Sequence, residues 1–327
     1  MLVLAKAEVE SLLDLDALVD AVAGAMADMS AGNASMPNRI AAVVAEREAF
    51  LAAMPAYLPS SGALTTKLVS VFPQNRDRPT HQAVVVCFDP ETGTPIALMD
   101  AESITSARTA AGSALSTKLL AREDAHQLAV LGTGVQARAH VRAVIRVRPF
   151  ERVVIAGRDQ AKAQALVAEL AKELSIPVEM AASFEAAVRG ADVVCATTHT
   201  TEPVVLREWV SPGTHITSVG FNAAGRGEID PETVADAVVV VEHRASALAP
   251  PPAGAVELLL PIADGLFDAS HIRAELGELI SGTGAGRTSP EEITLYKSVG
   301  VAVQDAAAAS LVLAGARARS IGTDVAM

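Results

Sequence analysis

Disulfide-forming residues are almost absent: the 327 residues include two cysteines, Cys87 and Cys195. Two cannot build a disulfide framework, so a reducing compartment is expected and the localisation is read as cytoplasmic. Positive charge is also short. Lys and Arg total 26 against 38 Asp and Glu, a formal net charge of −12, which argues against a nucleic-acid binder. No apolar run approaches the ~18 residues of a membrane span. The opening MLVLAKAEVESLLDLD meets acidic residues too early for a signal peptide, so neither a membrane nor a secretory role is expected. Seven histidines occur without HExxH or another metal-ligand spacing, and no metal is expected. A GxSxG elbow and a Cys–His signature of nucleophilic catalysis are missing too. Apolar residues, in contrast, are plentiful. At 50% hydrophobic and 20% charged the chain is not disordered. At about 150 residues per domain its length suggests two.

Hydrophobic spacing divides the chain into two textures. Leu12, Leu15, Val19, Val22 and Met26 recur at steps of three and four, so the first 30 residues read as one helix. Gly32, Asn33 and Pro37 punctuate a loop over 31–38. Extended segments are read at 40–44, 64–71 and 83–88, and PIALMD follows the DPETG turn as another strand. Together they suggest a meandering, mostly antiparallel sheet. An Ala-rich helix, ITSARTAAGSALSTKLLA, comes next. From Gln127 strand and helix patterns alternate, which implies a parallel, doubly wound sheet. A last apolar helix is read over 298–317 and is expected to pack back on the N-terminal region.

The motif with the clearest chemistry is Gly132-Thr-Gly134-Val135-Gln136-Ala137, directly after the strand LAVL and before a helix. In a GxGxxA turn Gly132 allows the tight corner and Gly134 lets backbone approach a pyrophosphate. Ala137 permits close helix–strand packing, and the helix N-terminus offers free N–H groups to phosphate. The next strand ends Ile155-Ala156-Gly157-Arg158-Asp159. An NAD site usually carries an acid there for the ribose 2′-OH. Gly157 stands in that place and Arg158 follows, a residue suited to a 2′-phosphate, so NADPH is expected, with NADH as the alternative. Asp159 leaves two readings open, a helix cap or the acidic role.

A nicotinamide enzyme needs an acceptor held beside the ring. Arg39, Lys67 and Arg108 are the candidate cations. Lys67 interrupts the apolar strand LTTKLVSV, where a lysine is costly unless paired or facing a cavity. Desolvation also lowers a lysine's pKa and suits it to proton transfer, although an exposed edge-strand face would account for it equally. His81 precedes a strand and could line the site. His199 and His215 are read as strand or loop ends without chemistry.

The stretches ALTTKLV (63–69), THQAVVVCFDPETGTPIALMD (80–100), ITSARTAA (104–111), GTGVQA, TEPVV with WVSPGTHITSVG (201–220), AELGELISG (274–282) and YKSVGVAVQDAAAA (296–309) resemble the ornithine cyclodeaminase/mu-crystallin family in order and content. The resemblance implies a homodimer with a Rossmann lobe over 116–299. It also implies an α+β substrate-binding and dimerisation lobe over 1–115, completed by 300–327. Arg39, Lys67 and Arg108 would surround the carboxylate of an amino or imino acid, with His81 and Asn222 beside it. Thr109 and Gln136 would lie near the cofactor phosphates and Ser298 near the nicotinamide. Gly132, Gly134, Val135, Gly157, Arg158, Thr197, Val219 and Gly220 complete the expected cofactor set.

Family members include ornithine cyclodeaminases, amino-acid dehydrogenases, cyclic-imine reductases and thyroid-hormone-binding crystallins. In cyclodeaminases the stretch after the VG turn carries an aspartate. Here Asn222 stands in that position, and an amide cannot act as a carboxylate base. The implied activity is therefore NAD(P)H-dependent reduction of a cyclic ketimine, Δ1-pyrroline-2-carboxylate or Δ1-piperideine-2-carboxylate, to L-proline or L-pipecolate, with a place in proline metabolism. Lys67, or a water it orders, would supply the proton. An alanine-type amino-acid dehydrogenase, an ornithine cyclodeaminase and a crystallin-type binding protein are the alternatives.

Overall fold

The computed structural model describes residues 1–220, 225–251 and 253–326. They fall into two compact units: Met1–Arg108 together with the chain from Val301 onward, and Thr109–Gly300. The boundary after Arg108 lies inside a helix, upstream of the expected 115/116.

The first unit opens with β1 (Leu2–Leu4), α1 (Lys6–Leu12) and α2 (Leu15–Ser30), where hydrophobic spacing suggested one helix. The break has a local cause. Leu13 takes extended backbone, with ψ 100°, and the Asp14 carboxylate caps the second helix by accepting from Ala17 N at 2.9 Å. Strands β2 (Ile40–Val44), β3 (Ala49–Leu58), β4 (Ala63–Val71), β5 (His81–Phe88) and β6 (Pro95–Asp100) form an antiparallel meander, with β1 added parallel to β6. Strand β3 has no counterpart in the sequence reading. Its Pro55 reads as a strand breaker, yet it sits beyond the last β2 pairing, Ile40↔Ala53. Along β3 and β4 alternate residues are buried: Ala52, Met54, Ala56 and Leu58, then Ala63, Thr65, Lys67 and Val69. This period of two gives the sheet one inner face.

Helix α3 (Glu102–Leu120) crosses from the first unit into the second. The second unit alternates β7 (Gln127–Leu131), α4 (Val135–Val144), β8 (Arg152–Ala156), α5 (Gln160–Leu170), β9 (Val178–Met180), α6 (Phe184–Val188), β10 (Val193–Ala196) and β11 (His215–Ser218). It continues with α7 (Pro231–Asp236), β12 (Val238–Val241), α8 (Arg244–Ala247), α9 (Val256–Ala263), β13 (Ile272–Glu275), α10 (Leu276–Ser281) and β14 (Thr294–Lys297). The eight strands are all parallel in the order β13-β12-β14-β11-β10-β7-β8-β9. Strands β7, β10 and β12 are buried at every position, as expected for a sheet covered on both faces. The order reverses at β7: β8 and β9 lie to one side and β10 to the other. Such a switch point opens a crevice at the strands' carboxyl ends.

The chain then returns to the first unit as α11 (Ala302–Arg319) and β15 (Thr323–Asp324), the latter paired with β1. Helix α11 begins at Ala302, not 298, because β14 runs to Lys297 and Ser298–Gly300 form the connection. It packs on α2, β3 and β4. Its small residues permit close approach: a Cβ on Gly315 would lie 3.3 Å from Leu12.

Candidate functional site

The glycine corner occupies the switch point. Gly132 adopts φ +123°, and a Cβ there would come within 2.7 Å of Thr197 Oγ1 and 2.9 Å of its carbonyl. Glycine is required on both counts. The corner is clamped by Gly132 N donating to Ala156 O at 2.8 Å, while Thr197 N and Oγ1 donate to Leu131 O at 2.9 and 2.8 Å. Gly134 caps α4 without a side-chain partner, and no atom lies within 4 Å of where its Cβ would be. Here glycine keeps space open above uncapped N–H groups, the arrangement that accepts a pyrophosphate. Val135 is exposed, and Gln136 Oε1 is buried without a hydrogen-bond partner among the described residues, an amide end that a bound group would satisfy. These features fit a dinucleotide. Behind them Ser113 on α3 meets His140 Nε2 at 2.9 Å, and His140 Nδ1 meets Gln136 O at 2.8 Å. Burial drops the His140 pKa to about 4, so the ring is a neutral brace joining α3 to α4. Thr109 is buried one turn before Ser113 on the same helix.

At the end of β8, a Cβ on Gly157 would strike the Thr133 methyl at 2.5 Å. No acid fits there. The Asp159 carboxylate caps α5, accepting from Lys162 N at 3.1 Å. Of the two readings left open, the helix cap is the one observed. Arg158 between them is exposed, with no partner among the described residues.

The remaining expected cofactor residues follow strand ends along the same edge. Val219 N donates to Ala196 O at 3.1 Å, and Ser298 N donates to Ser218 O at 2.9 Å. Three buried acids that sequence reading missed organise these loops. Glu228 accepts from Gly220 N at 2.7 Å, Ser218 Oγ at 3.1 Å and Thr198 Oγ1 at 2.6 Å. Lys297 donates to Gly220 O at 2.9 Å and pairs with Glu257 at 3.0 Å. The Gly220 peptide is thereby held from both sides. Burial pushes the Glu228 carboxyl above its ordinary range, with Lys297 opposing. Glu242 receives Ser298 Oγ at 2.7 Å and Val299 N at 2.8 Å. Sequence spacing contains no signal for these acids, which are 14 or more residues apart. Asn222 lies outside the described residues.

In the first unit Lys67 and Arg108 come together around a carboxylate absent from the expected set. Lys67 is central in the sheet order and on its inner face, so the edge-strand explanation fails. Its Nζ lies 2.8 Å from Asp305 Oδ2, and Arg108 Nε donates to Asp305 Oδ1 at 3.0 Å. Arg108 Nη1 also donates to Gln304 Oε1 at 2.9 Å. All four side chains are buried, and Gln304 Nε2 has no acceptor among the described residues. Burial lowers Lys67 to about 8; Asp305 opposes this while Arg108 and Arg39 add to it. Burial alone would raise the Asp305 carboxyl, but Arg108 and Lys67 more than reverse that and leave it below the ordinary range. His81 opens β5 on the Lys67 side of the sheet, its pKa lowered by burial and then by Lys67 and Arg108. Arg39 is half-buried and close enough to act on Lys67. Two buried cations against one carboxylate leave surplus positive charge, and Gln304 adds an unused donor. That chemistry suits a small carboxylate ligand.

Fold and site together define a member of a dinucleotide-fold family with a buried cluster of two cations and one carboxylate. The chain belongs to the ornithine cyclodeaminase/mu-crystallin family, which matches over residues 1–320. It is 38% identical over 300 residues to ketimine reductase mu-crystallin of Mus musculus, covering 90% of each chain. Among solved structures it resembles Thermococcus litoralis Δ1-pyrroline-2-carboxylate reductase in complex with NADH and L-proline. There the TM-score is 0.94 at 36% identity, over 99% of this chain and 100% of that one. An archaeal alanine dehydrogenase dimer with bound NAD superposes with a TM-score of 0.92 at 32% identity, over 100% and 99% of the respective chains.

Proposed function

We propose that this protein is a homodimeric NAD(P)H-dependent ketimine reductase that converts Δ1-pyrroline-2-carboxylate or Δ1-piperideine-2-carboxylate to L-proline or L-pipecolate. The observation that carries the reading is the buried Lys67–Arg108 pair, whose positive charge exceeds what Asp305 neutralises. Arg108 and Lys67, with Arg39 nearby, hold the substrate carboxylate. The Gly132–Gln136 corner holds the dinucleotide pyrophosphate. A reduced nicotinamide, when bound, supplies hydride to the imine carbon. The imine nitrogen must carry a proton to accept it, and Lys67 would donate or stabilise that proton. Fixing the carboxylate fixes the C=N carbon, so positioning supplies much of the rate. NADPH is the proposed donor. Gly157 stands where an NAD site carries its acid, Asp159 is engaged as a cap, and Arg158 is exposed for a 2′-phosphate.

A panel of pyrroline-2-carboxylate, piperideine-2-carboxylate and pyruvate with ammonia, each with NADPH and NADH at one enzyme concentration, tests this. The cyclic imines are expected to be reduced with NADPH at the highest kcat/KM. Faster turnover of pyruvate with ammonia would make the protein an amino-acid dehydrogenase, and no turnover of any imine would refute the reading.

A further inference from the structure

Four charged or titratable groups act around Lys67: Arg108 on α3, Arg39 before β2, His81 on β5 and Asp305 on α11, while β3 presents Met54. Of these, Asp305 alone is an acid. It is fully buried, and its two oxygens divide between the two cations, Oδ2 to Lys67 at 2.8 Å and Oδ1 to Arg108 at 3.0 Å. One carboxylate therefore fixes both the spacing of the pair and the charge that Lys67 experiences. Its neighbour Gln304 braces the same guanidinium. We propose that Asp305 is a positioning residue for the reduction, holding Lys67 and Arg108 as one rigid anion clamp and keeping Lys67 protonated in the working pH range. This rests on the ketimine reductase reading.

The mechanism is electrostatic. Burial and two arginines disfavour a charged Lys67, and Asp305 offsets them, leaving the ammonium titrating near 8. An opposite charge this close shifts a pKa by about 1–3 units. Without it Lys67 loses its proton at lower pH, and with the proton goes its grip on a carboxylate. Below that pH the effect reverses, because the pocket has lost a negative charge that competes with the ligand.

The test is the pH dependence of pyrrole-2-carboxylate binding to the NADPH-bound enzyme, followed by calorimetry from pH 6 to 9. For Asp305→Asn, affinity at pH 6 is expected to equal or exceed that of the wild type. Its alkaline decline should begin about one pH unit earlier. An unshifted decline, or the same fold-loss at every pH, overturns the proposal. Thermal melts supply an arm that needs no ligand. The unfolded chain keeps Lys67 protonated to near 10.5, so folded stability rises with pH above the folded pKa. That rise should start about one unit lower in Asp305→Asn, narrowing its Tm deficit between pH 6 and 8. A constant deficit overturns the proposal even if no imine proves to be a substrate. Should Asp305→Asn not fold, Lys67→Met/Asp305→Asn is expected to restore folded protein, because the uncompensated ammonium is gone. Failure of that rescue overturns the proposal equally.

Discussion

Among single residues, Lys67 gathers the most demands. A lysine on the inner face of a central strand is tolerated because Asp305 pairs with it, and deleting one partner of a buried pair typically costs ~3–5 kcal/mol. Its lowered pKa, about 8, sets an expected pH limit. In the proposed role reduction needs the ammonium, so kcat/KM should be level below that value and fall as pH rises through it. Lys67→Met should lower kcat by about 100-fold or more, in the range for removal of a general acid, and leave the KM for NADPH within a few-fold. Steady-state rates at pH 7 check this. Near-normal turnover in the variant would remove Lys67 from the chemistry. LTTKLVSV announced Lys67 as out of place, but not its partner. Asp305 sits 238 positions away by residue number (305 − 67), on a helix whose Ala-rich sequence reads as packing.

At the level of elements, the proposed cofactor preference rests on helix and strand ends. Helix α4 begins on an open glycine and α5 on a carboxylate cap, and the two ends have different consequences. The uncapped α4 end is available to phosphate. The capped α5 end engages one Asp159 oxygen, and in the proposed reading Arg158 is left to meet the 2′-phosphate. Arg158→Ala should raise the KM for NADPH about tenfold and spare that for NADH, since one charge-assisted contact is worth ~1.5 kcal/mol or more. Initial-rate measurements with both cofactors decide it, and equal effects would dismiss the 2′-phosphate contact. The GxGxxA corner was legible because chirality and close approach leave only glycine at those positions. Strand β3 was not legible, because Pro55 obeys a local rule that the end of the β2 ladder relaxes.

For the whole molecule, the first unit's sheet has one face under α11 and another bearing apolar side chains. Ile40, Leu51 and Val84 share that outer face, with relative exposures of 71%, 48% and 37%. Strand β2 is also an unprotected edge, and such a surface in a stable protein calls for cover. The proposed homodimer supplies it. Ile40→Asp should shift the protein from dimer to monomer in size-exclusion chromatography with light scattering. A dimer unaffected by the charge would place the interface elsewhere.

Local sequence by itself settled much of what is decided within a few residues: the meander strands other than β3, the alternation that yields a parallel sheet, the glycine corner and the missing acid after β8. Steric and backbone constraints act between neighbours in the chain and can be read there. Tertiary structure alone decided which charges meet. Asp305 with Lys67 and Arg108, and Lys297 with Glu257, are joined across long separations. Pairing at that distance follows from burial, because a charge removed from water must find its opposite wherever the fold has placed it.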